Sequence, residues 1–198
     1  MGLWSIQIRY KYLLKFKKTM NIYQFHTDPE SLFNFENYYT EDPSRLFNTL
    51  NNDVTKLKKY EDVIAKDAKA SFLYASTILS KRWYKGEDVI SKDAKYAQKY
   101  AHLVIYGPFE KGEDAISKDA DASYAYANDI IWGPWPKGEA AIAKNTAHAL
   151  NYARYILKRA FPAGEAAIAK DKGSSEFYAK KVLKKDFYLD GKLIAKAE

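Results

Sequence analysis

The chain has 198 residues, 47% of them hydrophobic, a composition that excludes a wholly disordered protein. It has no cysteine, which removes disulfides, thiolate nucleophiles and cysteine-ligated metals. With only His26, His102 and His148, a zinc site would need carboxylates to complete it. The formal charge of +7 points to a polyanion partner only until it is divided: residues 1–20 hold five bases and no acid, residues 21–60 four bases and six acids, and residues 61–198 23 bases and 19 acids.

Residues 1–20 form a basic extension in which Trp4, Ile6, Ile8, Tyr10, Tyr12, Leu14 and Phe16 alternate with mostly polar neighbours. That period predicts a short strand, or a disordered segment, over residues 1–19 and not a helix. No unbroken apolar run marks a signal peptide or a membrane span, and Ile6 stands where a myristoylation signal needs Ser or Thr. Met20 precedes a helix start, so residues 1–19 are expected to be an upstream extension. Residues 21–60 read as a helical cap, a degenerate repeat. Thr27 to Glu30 is a capping box before Leu32, Phe33 and Phe35, and Asp42-Pro43 opens a helix carrying Leu46, Phe47 and Leu50.

From residue 61 the sequence repeats every 26 residues. Ile64, Ile90, Ile116, Ile142, Ile168 and Ile194 fall in register, as do Tyr74, Tyr100, Tyr126, Tyr152 and Tyr178, each followed by Ala. Trp83, Phe109, Trp135, Phe161 and Phe187 follow in turn. The units are 61–86, 87–112, 113–138, 139–164 and 165–190. In the third, Asp119 is an N-cap, and Ser123, Tyr126, Ala127 and Ile130 share one face of a helix. Gly133 and Pro134 end that helix, and Pro136 opens a short second one. The Ile, Tyr-Ala and aromatic places are assigned to the core. Asp62/Lys66, Asp88/Lys92 and Asp114/Lys118 read as i, i+4 pairs on the short helices. Residues 191–198 read as a half-repeat that begins a sixth short helix. The expected fold is all-α, a right-handed α-solenoid of five helix-turn-helix units with an N-terminal helical cap.

The run Phe161-Pro162-x-Gly164-Glu165-x-x-Ile168-x-Lys170-Asp171, followed by Tyr178-Ala179, resembles the short tandem helical repeats of bacteriophage-encoded proteins, themselves loosely similar to HEAT-type α-solenoids. The resemblance covers residues 61–198. It implies an α-solenoid and a phage factor acting in the bacterial cytoplasm on a host or viral protein, and no activity. Asn145 in place of Asp, Asp190 in place of Gly and the lack of Pro in the first junctions are departures expected to affect caps alone.

No phosphate-binding loop, dinucleotide fingerprint, zinc-protease motif or nucleophile elbow occurs, so no catalytic residue, metal or cofactor is assigned and an enzyme is not expected. Function is sought where the units differ: the second, sixth, ninth and thirteenth residues after each cap, which lie opposite the core at 100° per residue. From this stripe the binding candidates are Lys95, Lys99, His102, Tyr106, Asn128, Trp132, Arg154, Lys158, Lys180 and Lys184. Tyr106 and Trp132 are the aromatic anchors, and Arg154, Lys158, Lys180 and Lys184 form a basic end. The expected role is a non-enzymatic scaffold for a protein partner. Nucleic acid or an anionic nucleotide is the alternative. No membrane contact is expected, and self-association end to end or edge to edge would fit such an array.

Overall fold

A computed structural model describes residues 53–198, together with residues 45 and 47. The basic extension, the question of Met20 and most of the N-terminal cap lie outside the described residues. Arg45 and Phe47 are helical, and Phe47 is buried with its ring 6.4 Å from that of Tyr74.

The described chain is mostly helical. Helix α1 (Val54–Lys58) is capped by Asp53, and α2 (Glu61–Ile64) leads into α3 (Ala68–Leu73). There follow α4 (Glu87–Ile90) and α5 (Ala94–Tyr100), then α6 (Glu113–Ile116) and α7 (Ala120–Tyr126). Helices α8 (Pro136–Ile142), α9 (Thr146–Asn151), α10 (Pro162–Ile168) and α11 (Lys172–Phe177) complete the series. Each longer helix of a unit is opened by a side-chain cap, with Asp67, Asp93, Asp119, Asn145 and Asp171 accepting from the N–H three residues on. The Asn145 departure therefore keeps its cap, at 3.1 Å.

Every longer helix ends in a wider turn closed by i→i+5 hydrogen bonds: Tyr74–Leu79, Ala101–Ile105, Ala127–Ile131, Tyr152–Leu157 and Tyr178–Leu183. The alanine of each Tyr-Ala pair sits at this closure, fully buried. Its carbonyl accepts from the left-handed cap residue and again from the residue after it, as Ala127 does from Trp132 and from Gly133 at 3.3 Å. The helix thus closes one residue wider than the common C-terminal motif. It also ends on Trp132, one residue before the Gly133 expected to end it.

Between the helices lies the core. Ile64, Ile90, Ile116, Ile142 and Ile168 are fully buried, and so are the five tyrosines and the alanines that follow them. Each tyrosine ring packs on the next aromatic, 4.8 Å for Tyr74–Trp83 and Tyr126–Trp135, 5.3 Å for Tyr100–Phe109, and 5.1 Å for Tyr152–Phe161 and Tyr178–Phe187. The glycine three residues after the aromatic is demanded by that ring. A Cβ on Gly112 or Gly164 would stand 2.6 Å from the phenylalanine before it, and one on Gly138 would overlap Trp135.

The tyrosine hydroxyls tie one unit to the next. Tyr126 accepts from the Phe109 N–H at 2.9 Å and donates to Glu113 at 3.0 Å. Tyr100, Tyr152 and Tyr178 repeat both bonds with Trp83/Glu87, Trp135/Glu139 and Phe161/Glu165. Recurrent glutamates are therefore acceptors for buried hydroxyls, and each donor that the aromatic's N–H represents is satisfied. The expected i, i+4 pairs are not formed. Asp62 bonds Lys85 at 2.8 Å, Asp88 bonds Lys111 and Asp114 bonds Lys137 at 2.7 Å, each lysine coming from the far end of the same unit. A lysine 23 residues away is nearer in space because the short helix places its aspartate against the next junction.

The C-terminus also departs from expectation. Residues 192–195 are a strand and not a sixth short helix: β1 (Phe187–Leu189) pairs antiparallel with β2 (Lys192–Ala195), Leu189 opposite Lys192. Asp190 and Gly191, both at positive φ (50° and 77°), make the two-residue turn that joins them. Phe187 and Ala195 are buried, so the hairpin covers the last aromatic place.

Candidate functional site

Counted from its N-cap, the outer side of each longer helix is not quite the stripe that 100° per residue predicts. Second-place residues such as Lys95 are exposed, and the sixth-place Lys99 is half-buried, as are all its counterparts, because neighbouring long helices pack there. At the ninth place His102, Arg154 and Lys180 are exposed, while Asn128 is half-buried and donates to Asp129 at 2.7 Å. The thirteenth place is exposed throughout: Tyr106, Trp132, Lys158 and Lys184 all stand out. The tenth place is exposed as well in four of five units, adding Leu103 and Tyr155. The wider C-terminal turn rotates that place outward, and a fixed helical period hides it.

Tyr106 and Trp132 are the most exposed large hydrophobic side chains described, at 80% and 82%. Both sit in the left-handed backbone region, φ 58°, where a side chain meets the following carbonyl and glycine or asparagine is favoured. The same conformation holds Ser80, Lys158 and Lys184 in the other units, so the turn belongs to the fold. What differs is that two consecutive units put a large aromatic on it, in water.

Contacts between units organise the remaining outward groups. His102 Nδ1 lies 3.7 Å from Asp129 Oδ2, and His148 Nε2 is 2.6 Å from Asp121 Oδ1 with its ring stacked on Tyr124. The two histidines are thus on separate carboxylates. Among the described residues no group of three His, Asp or Glu could hold a metal ion. The Arg154 guanidinium lies 4.6 Å from the Tyr155 ring and 4.5 Å from that of Phe177, a cation held by two rings. Lys95 lies over Tyr96. Lys158, Arg159, Lys180, Lys181, Lys184 and Lys185 are exposed, and none has a carboxylate within ion-pair distance among the described residues.

The perturbed titratable groups belong to structure. Burial holds the tyrosine hydroxyls above their ordinary value near 10, with the facing glutamates adding to the shift; Tyr152 is pushed up to about 12. Hydrogen bonds from Lys85, Lys111 and Lys137 hold Asp62, Asp88 and Asp114 below the usual carboxylate range. An open depression of about 530 Å³ lies between α4 and α6, lined by Ser91, Lys92, Lys111, Asp114, Lys118 and Asp119. Its Lys111 and Asp114 are already paired with Asp88 and Lys137.

The chain belongs to the class of mostly helical proteins, and among the described residues no helix is long and apolar enough to cross a membrane. Comparison with protein-family models, with curated proteins and with solved structures finds no match.

Proposed function

We propose that residues 61–190 form a right-handed α-solenoid of five units and serve as a non-enzymatic scaffold that binds a protein partner through the outer side of its long helices. Support for the architecture comes from packing of each long helix on the next, α3 on α5, α5 on α7, α7 on α9 and α9 on α11, with the hydroxyl bridges recurring at every step. The observation that carries the function is the exposure of Tyr106 and Trp132 on successive left-handed turns. Large aromatics kept in water at strained positions contribute nothing to the core, and they are the side chains that anchor interfaces. A phage factor engaging a host or viral protein in the bacterial cytoplasm is the setting this reading suggests. The test is affinity capture with the full chain beside a Tyr106→Ala/Trp132→Ala chain of equal melting temperature. A defined protein retained by the first and lost by the second is expected, and equal retention by both would remove the assignment of this surface.

One observation favours a second reading. Exposed Lys158, Lys180, Lys181, Lys184 and Lys185, without carboxylate partners among the described residues, together with the ring-held Arg154 suit nucleic acid or an anionic nucleotide. Titration of a single-stranded oligonucleotide between about 50 and 200 mM salt separates the two, because counterion release makes nucleic-acid affinity fall steeply across that range.

A further inference from the structure

At the thirteenth place the outer side of the long helices changes from aromatic to basic along the chain, with Lys95 and His102 also exposed in the second unit and Tyr155 in the fourth. In units 87–112 and 113–138 it presents Leu103, Tyr106 and Trp132, all exposed. In units 139–164 and 165–190 the ninth and thirteenth places are Arg154, Lys158, Lys180 and Lys184, exposed and without carboxylate partners among the described residues. The halves adjoin, since α7 packs on α9 and His148 reaches across to Asp121.

We infer that the partner engages this surface with an extended acidic segment, its apolar anchor on Leu103, Tyr106 and Trp132 and its carboxylates on the four cations. The inference rests on the protein-binding reading above and adds the chemistry and direction of the bound segment. Neighbouring packed helices stand about 8–10 Å apart, so the three steps from the second unit to the fifth cover roughly 27 Å. A chain in the polyproline II conformation advances about 3.1 Å per residue with three residues per turn, so roughly nine residues span the surface and every third side chain meets a new unit.

Charge selects this occupant over a continuous polyanion. Asp121, with its side chain 84% exposed, and Asp129, beside His102, belong to the same unit as Trp132. A phosphate backbone running the length of the surface would meet those carboxylates on its aromatic half. A peptide places apolar side chains there, its N–H groups are free to donate to the carboxylates, and its own acids fall only where the surface is basic.

The test is selection of a displayed library of random peptides, about a dozen residues long, on the full chain. Enriched sequences are expected to carry an apolar or aromatic pair followed on one side only by Asp or Glu, roughly three residues apart. For a selected peptide, fluorescence anisotropy should show a loss of about tenfold or more in Lys180→Glu/Lys184→Glu and a smaller one in Trp132→Ala. Both variants alter exposed residues, and equal melting curves confirm that they fold. Enrichment of apolar peptides with no acidic bias, indifferent to the lysine pair, overturns the inference and leaves the protein-binding reading standing. An oligothymidine strand that binds the same residues while no peptide is enriched overturns both, and so does binding of neither probe.

Discussion

Replacing Tyr126 by phenylalanine keeps the ring against Trp135 and deletes one oxygen, so it isolates the bond that joins the units. That oxygen accepts from the Phe109 N–H at 2.9 Å and donates to Glu113 at 3.0 Å, and Tyr126 is fully buried. Loss of the acceptor strands a buried backbone N–H, a cost of about 1–3 kcal/mol. Glu113 adds little, because Lys137 lies 3.6 Å away and part of its carboxylate reaches water. The expected destabilisation is therefore about 2 kcal/mol, below the roughly 3–5 kcal/mol of Tyr126→Ala, which also opens a cavity. Equilibrium unfolding in urea measures both, with an unchanged slope showing that the surface exposed on unfolding is the same. Because an array of neighbour-only contacts can lose all-or-none behaviour, circular dichroism and tryptophan fluorescence should give one coincident transition. A Tyr126→Phe midpoint equal to that of the parent would refute the bridging role of the hydroxyl. A cost equal to that of Tyr126→Ala would instead refute the ring's share.

Gly138→Ala forces a Cβ into the Trp135 ring and is expected to lower stability by about 1–3 kcal/mol in the same urea assay, whereas Gly107→Ala, with open space around it, is expected to cost far less. Trp132→Gly should go the other way, raising stability by about 0.5 kcal/mol because it relieves a left-handed residue, while weakening partner capture; a loss of stability would mean that the indole packs. The buried tyrosines have raised pKa values, so their stabilising neutral form is complete below pH 10 and is lost as pH rises through the folded values. Cooperative unfolding above pH 10, with tyrosinate absorbance appearing in the same transition, is expected, and early titration of all tyrosines without unfolding would contradict it. Asp62, Asp88 and Asp114 have lowered values, so what they contribute is present above pH 3.8 and fades as pH falls below it. Thermal melts should show this acid loss shrinking in about 1 M salt, where screening acts within about 3 Å.

Much of the interior was legible in the sequence because burial selects the same residue type at each 26-residue step. The isoleucines of the five units, the Tyr-Ala pairs and the aromatics that follow are buried where the period places them, Ile194 on the hairpin is half-buried, and each longer helix starts at the Asp or Asn that reads as its cap. What the period could not supply were partners brought together by tertiary packing. Asp88 belongs to Lys111 and not Lys92, and the Tyr126 hydroxyl faces Glu113 and Phe109. A signal for the second case was present, since a glutamate stands 13 residues and an aromatic 17 residues before each of Tyr100, Tyr126, Tyr152 and Tyr178. Asp190-Gly191 between short apolar runs was likewise a hairpin signal, obscured by the register of Ile194 with the other isoleucines. Tyr106 and Trp132 stood out in the sequence as outward aromatics. Leu103 and Tyr155 did not, because the wide turn that exposes them leaves no residue-type mark.

The most direct test of the central claim is site-specific photo-crosslinking in the source cell, with a photoreactive phenylalanine analogue placed at residue 106 or 132 and, as the control, at Lys118 on the side of the short helices. One protein species linked from 106 and from 132 and absent from 118 is expected. Adducts to nucleic acid alone, or the same species captured from all three positions, would contradict it.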